Sequence, residues 1–170
     1  MNTPRLSLAL AALGLTSALA FTSALAFTDP KTGFTSTAPS GWKQSTYPGA
    51  AVVYLAPRPV KAFNPNINVV VQTVPAGLTL KQYTDVSLPQ LKQALPGSQV
   101  ISLRPSTLGG LSAVQLNYTA TQSGLKLYFT QTYTVLGQRA YLLTGTTIQG
   151  QEAALAPVMA AFVKSFKIKR

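Results

Sequence analysis

The sequence of 170 residues contains no cysteine and no histidine, and three acidic residues stand against 14 lysines and arginines. Without cysteine and histidine, the chain forms no disulfide bond, and the usual nucleophilic triads and dyads are not available. The typical ligand sets of zinc, haem and iron–sulfur centres are missing for the same reason. We therefore predict no catalytic residue, no metal site and no bound cofactor.

The few carboxylates do not form a recognisable site. Asp29, Asp85 and Glu152 show neither the paired-acid spacing of glycoside hydrolases nor a calcium-binding loop. Two short strings, Lys-Thr-Gly at 31–33 and Ser-x-x-Lys at 40–43, also occur in penicillin-binding enzymes. In those enzymes Ser-x-x-Lys comes first and Lys-Thr-Gly lies far downstream, so the reversed order here indicates coincidence. The enzymatic alternative that remains is a hydrolase using serine, lysine or tyrosine without histidine.

The first 26 residues have the features of a signal peptide. A positive charge precedes an unbroken apolar run, and two A-x-A cleavage patterns follow, ending at Ala20 and Ala26. The apolar run is shorter than the roughly 20 residues that a membrane-spanning helix needs. We predict cleavage after Ala26, with Ala20 as the alternative. Residues 27–170 then form a single domain. It is exported to the periplasm or the exterior and has no cysteine to carry a lipid anchor.

Runs of β-branched and apolar residues, bounded by proline and glycine, predict a chain rich in strands. The stretch 27–42 is expected to form a hairpin. In 114–121 apolar and polar residues alternate strictly, which is typical of a half-buried antiparallel strand. The predicted strands after the hairpin are 50–55, 68–74, 99–103, 114–121, 125–136 and 139–148. The last four are separated by short turns and should form a meander.

Two helices are predicted. Thr79 and Gln82 form a capping-box pattern at the start of a helix over 79–95, which Pro89 is expected to kink or split near Ser87. An apolar stripe at helical spacing predicts a second helix over 151–166. Strands followed by one helix, a meander and a final helix indicate the α+β class. We expect a central antiparallel sheet of about six or seven strands with helices on both faces.

The opening hairpin also carries a family resemblance. It resembles the start of the Mog1/PsbP-like superfamily, particularly its bacterial DcrB-like (DUF1795-type) members, and the order of the elements is similar across the whole domain. The motif residues are Gly33, Phe34, Pro39, Gly41 and Trp42. Ser36 stands where the family usually has an apolar residue. The resemblance implies an α/β/α sandwich and non-catalytic roles such as accessory subunit, envelope protein, partner-binding module or secretion chaperone. The motif positions belong to turns and core, so they imply no binding residue.

The formal net charge of +11 is spread along the chain, with one local concentration at the C-terminus. Lys164 and Lys167 are three residues apart and are predicted to share a helix face, and Lys169 and Arg170 follow. These four residues are candidate contacts to an anionic lipid or polymer surface. A solvated basic surface that only keeps the protein soluble is the other interpretation.

Together these features predict an exported, non-enzymatic accessory or partner-binding domain of the cell envelope. Its partner would be a protein or another envelope component that the sequence does not name. The alternative is a basic domain that binds anionic lipid or polymer surfaces by charge. Nucleic acid is not an expected partner, and a monomer is expected.

Overall fold

The computed structural model describes residues 26–169, which form a seven-stranded antiparallel sheet, a separate two-stranded hairpin and two helices. The strands are β1 Ala26–Thr28, β2 Thr35–Thr37, β3 Lys43–Ser45, β4 Val52–Leu55, β5 Asn66–Thr73, β6 Gln99–Leu108, β7 Leu111–Gln122, β8 Leu125–Leu136 and β9 Arg139–Ile148. The helices are α1 Leu80–Ala94 and α2 Glu152–Ser165. The order of strands in the large sheet is β3-β4-β5-β9-β8-β7-β6. The predicted α+β class is confirmed. The predicted signal peptide lies outside the described residues except for Ala26.

The meander over β6 to β9 follows the predicted pattern. Each strand pairs with the next in antiparallel register. Gly109 and Gly110 both have positive φ, 58° and 78°, as the tight turn between β6 and β7 requires. The strand β6 extends to Leu108 rather than ending at Leu103, because Pro105 lies on an edge strand, where its missing N–H is tolerated.

The predicted opening hairpin is formed by β1 and β2. The buried carboxylate of Asp29 accepts hydrogen bonds from the backbone N–H of Thr32, at 2.7 Å, and from the Thr32 hydroxyl. Gly33 adopts a φ of 74° at the end of this turn. The ring of Phe34 then stacks on Phe166 with centroids 4.8 Å apart. The Lys-Thr-Gly string is therefore part of a turn that places an aromatic core residue.

Ser36 is buried, although its side chain is polar. The buried Tyr54 hydroxyl comes from β4 and faces Ser36. Burial raises the pKa of Tyr54, and the Ser36 hydroxyl opposes part of that rise, although the two groups do not form a well-aligned hydrogen bond. A serine at this position thus meets another polar atom.

The helix α1 begins with the predicted capping box. The Gln82 backbone N–H donates to the Thr79 hydroxyl at 3.2 Å, and the Thr79 N–H donates to Gln82 Oε1 at 2.9 Å. The helix is continuous from Leu80 to Ala94 and is not split near Ser87. Pro89 removes a single intrahelical donor, so the helical turns on either side of it remain paired.

The buried apolar residues form two clusters, and neighbouring residues of β9 belong to different ones. Leu142 lies in the first cluster together with Tyr83 of α1, whereas Leu143 lies in the second with Phe162 of α2. The helix α2 comes very close to the sheet at Gly145. A Cβ atom at this position would lie only 3.2 Å from the Met159 sulfur. Within residues 26–169, neither helix is long and apolar enough to cross a membrane.

Candidate functional site: a cleft between α2 and strands β6 to β8

A cavity of about 820 Å³ lies between α2 and the half of the sheet formed by β6, β7 and β8. The helix packs closely on β9 at Gly145 and leaves these three neighbouring strands partly uncovered. The strands provide a polar floor and the helix provides a wall. The floor includes Arg104, Ser106, Gln115, Asn117, Tyr128, Thr130 and Thr132.

The floor is polar because alternate residues of a strand point to opposite faces of the sheet. Leu116 points into the first core cluster, so Gln115 and Asn117 on either side of it face the cleft. The Gln115 side-chain amide donates to the Thr130 hydroxyl at 3.3 Å, and the Asn117 amide donates to the Ser102 hydroxyl at 3.0 Å. The Oδ1 atom of Asn117 is buried and has no hydrogen-bond partner. This oxygen is enclosed by the protein, so the polar groups that the floor offers to a ligand are the partly exposed ones, such as Ser106, Gln115 and Tyr128.

The wall of the cleft is built from small residues of α2. Ala153, Ala156 and Ala160 line the cavity at helical spacing, and Val163 continues the same side of the helix. Larger side chains at these positions would occupy the space above the floor. The turn at Gly109 and Gly110, which has no side chains, lines the cavity as well.

Three cationic side chains line the cleft. Lys164 comes from the last turn of α2, Lys167 from the segment that follows it, and Arg104 from β6. The prediction that Lys164 and Lys167 share a helix face is wrong, because α2 ends at Ser165. Lys167 lies in extended backbone that exchanges two hydrogen bonds of 2.9 Å with Thr35. The fold nevertheless brings both lysines to the same cavity.

The other two predicted contacts lie elsewhere. Lys169 is exposed and outside the cleft lining, with its side chain beside Gly33. Arg170 lies outside the described residues. The sequence analysis did not select Arg104 or the polar floor. The alternation over 114–121 predicted a polar face on β7, but nothing in it indicated that a helix would enclose that face.

None of the three carboxylates of the chain forms an ion pair with a cation of the cleft. Asp29 accepts hydrogen bonds in the opening turn, and Asp85 pairs with Lys81 on α1 at 2.7 Å, the one ion pair in the described part of the chain. Glu152 lines the cleft at the start of α2, where its carboxylate accepts the Gly150 backbone N–H at 2.8 Å. Across residues 26–169, acidic side chains also form no cluster that could hold a metal ion.

The phenol of Tyr128 is the floor group with a perturbed pKa. Burial raises this pKa, the nearby Glu152 carboxylate raises it further, and the Arg104 guanidinium lowers it in part. Tyr128 is therefore a neutral hydrogen-bonding group near pH 7 and not a phenolate nucleophile. Burial also raises the pKa values of Tyr83 and Tyr118, which belong to the first core cluster and not to the cleft. These shifts provide neither a base nor an activated nucleophile at neutral pH.

Comparison with known proteins identifies the family to which this protein belongs. The sequence model of the DcrB family matches residues 35–165, and the chain belongs to that family. The resemblance noted in the opening hairpin is confirmed. A search of curated protein sequences finds no match.

Solved structures share the fold at low sequence identity. LpqN of Mycobacterium tuberculosis, described as involved in cell envelope biogenesis, is 18% identical with a TM-score of 0.70, covering 84% of this chain and 87% of its own. Cyanobacterial PsbP (CyanoP) of Synechocystis sp. PCC 6803 is 18% identical with a TM-score of 0.65, covering 91% and 99%. The Ran-binding protein Mog1p of Saccharomyces cerevisiae is 12% identical with a TM-score of 0.58, covering 79% and 89%. These likenesses show the PsbP/Mog1-like fold.

Proposed function

We propose that this protein is an exported, non-enzymatic binding domain of the cell envelope, and that the cleft between α2 and β6 to β8 receives its partner. Membership of the DcrB family supports the proposal. It is also supported by structural likeness to LpqN, a protein of cell envelope biogenesis, and to Mog1p, a Ran-binding protein. The domain acts as a monomer without a lipid anchor.

The proposed architecture is an α/β/α sandwich in which the two helices lie on opposite faces of the sheet. The separate clusters around Tyr83 and Phe162 support this arrangement. One helix is about 10–12 Å wide with its side chains, whereas neighbouring strands are about 4.8 Å apart. A single helix therefore covers two or three strands of a seven-stranded sheet. Beside α2, the part of the sheet that stays partly uncovered is β6 to β8.

The observation that carries the proposal is the cleft itself. Its volume of about 820 Å³ falls within the range of roughly 300–1,000 Å³ that is usual for ligand sites. Its floor has hydrogen-bonding side chains, and its lining includes three cations that form no ion pair with an aspartate or glutamate of residues 26–169. These groups can hydrogen-bond to a partner or pair with its charges, and the Tyr128 phenol, whose pKa is raised, stays neutral near pH 7.

Site-specific photo-crosslinking in the envelope tests the proposal. A benzophenone amino acid replaces Thr107, an exposed residue that borders the cleft on the edge strand β6, and a control protein carries it at Lys92 on the exposed surface of α1. We expect a specific adduct from position 107 that is missing from position 92. Equal adducts from both positions, or none from position 107, would refute the cleft as the binding site.

A second candidate function is binding of anionic lipid or polymer surfaces by charge, which the net charge of +11 favours. Such binding should fall steeply between about 50 and 300 mM salt, because screening and counterion release dominate it. It should also be lost when Lys164, Lys167, Lys169 and Arg170 are all changed to Ser. Tight, salt-sensitive binding to anionic liposomes that disappears in this variant would establish the second function over the first.

A further inference from the structure

No aspartate or glutamate side chain within residues 26–169 forms an ion pair with a cation of the cleft. Asp29 and Asp85 are engaged in a turn and on α1, and Glu152 lies at the opposite end of α2 from Lys164. Lys164 and Lys167 thus bring two positive charges to one end of a concave site with no carboxylate paired to them. A ligand with an anionic group at this end would complement the charge.

The length of the cleft sets the size of the ligand. Lining residues of α2 extend from Glu152 to Lys164, and at 1.5 Å per residue these twelve steps span about 18 Å. A peptide in extended conformation covers about 3.3–3.6 Å per residue. The cleft therefore accommodates about five residues of an extended chain.

The two sides of the cleft match an extended peptide. Ser106, Gln115 and Tyr128 present half-buried polar side chains to the cleft, and a peptide backbone provides N–H and C=O groups at regular intervals. On the helix side, Ala156 and Ala160 leave room for side chains.

On the basis of the proposed function, we infer that the cleft binds an extended acidic segment of a partner protein. The segment is about five residues long. Its carboxylates lie between Lys164 and Lys167, and its backbone lies along the floor beside Asn117. At the other end of the cleft, Arg104 and Glu152 both line the cavity with opposite formal charges, so we expect that end to favour acidic residues less.

Fluorescence anisotropy with labelled six-residue peptides tests this inference on the purified exported protein. One peptide carries two aspartates at one end, and its partner carries two asparagines at the same places. We expect the aspartate peptide to bind roughly tenfold more tightly at about 150 mM salt, because charge-assisted hydrogen bonds are about twice as strong as neutral ones. The double variant Lys164→Gln, Lys167→Gln should remove this preference.

A matched control removes the same charge from other surfaces. Lys43→Gln with Lys92→Gln changes two exposed lysines that do not line the cleft, and it should leave the affinity within about twofold, since exposed charges at a distance are largely screened. Equal binding of the two peptides, or an equal loss in the control, would overturn the inference. So would binding of phosphatidylglycerol vesicles at about 300 mM salt that depends on Lys164 and Lys167, because the two lysines would then recognise a membrane surface.

The crosslinking and peptide-binding results together separate this inference from the function on which it rests. A crosslink from position 107 without preference for the aspartate peptide would leave the binding domain in place and reject the acidic segment. A missing crosslink would reject both.

Discussion

Replacement of Phe162 by alanine should strongly destabilise the fold, because this residue holds α2 on the sheet. Its side chain is 2% exposed, and its ring meets Tyr54 edge to face with centroids 5.7 Å apart. Burial of a phenylalanine contributes roughly 1.5–3 kcal/mol, and the aromatic pair adds about 0.5–1.5 kcal/mol. With the cavity that remains, the free energy of unfolding should fall by about 3–5 kcal/mol.

Denaturant unfolding measures this loss with a convenient probe. Trp42, the only tryptophan, packs against the same cluster, so its fluorescence reports on this part of the core. The control Ala161→Ser changes an exposed neighbour on α2 and should cost less than about 0.7 kcal/mol. A loss below about 1 kcal/mol for Phe162→Ala would refute the docking of α2 that walls the cleft.

Three further predictions concern other parts of the structure. Gly145→Val should lower the free energy of unfolding by about 1–3 kcal/mol, since its side chain would meet the Met159 sulfur; an unchanged denaturation midpoint would contradict this close approach. Thr79→Ala should cost about 1 kcal/mol by removing the cap that binds the Gln82 N–H, measurable by the same melts, whereas a cost near zero would mean that the capping box adds no stability. Burial raises the pKa of Tyr118 above its usual value near 10, so on raising the pH the unfolded state loses this proton before the folded state does. The contribution of Tyr118 to stability should therefore be constant below pH 10 and decline as the pH rises above 10. Urea melts at several alkaline pH values should show a shallower decline for Tyr118→Phe, and stability that stays constant through this range would contradict the burial of a neutral phenol.

The features that the sequence predicted well depend on neighbours in the chain. The capping box at Thr79 and the alternation over 114–121 are local patterns, and the structure has a helix start and a strand at those places. The strand β3 was missed because Lys43–Ser45 is short and polar. Its pairing with β4 comes from the sheet and not from any β propensity of its own.

The cleft depends on tertiary placement, which explains why only part of it was predicted. Lys164 and Lys167 were selected as a local charge cluster, and they do line the cavity. Their assumed shared helix face was wrong because hydrogen bonds to Thr35 hold Lys167 in extended backbone. Arg104 is about 60 residues earlier in the chain and joins them only through the pairing of β6 at the edge of the sheet.

The central claim is that the cleft between α2 and β6 to β8 is the binding site, and amide chemical shifts test it most directly. The ¹⁵N-labelled protein is titrated with the aspartate peptide and then with the asparagine peptide. We predict that the shifts caused by the aspartate peptide are concentrated at Asn117, Thr130 and Ala156 and are small at Lys43 and Lys92. Shifts of similar size across the basic surface, or shifts centred on α1, would contradict the account.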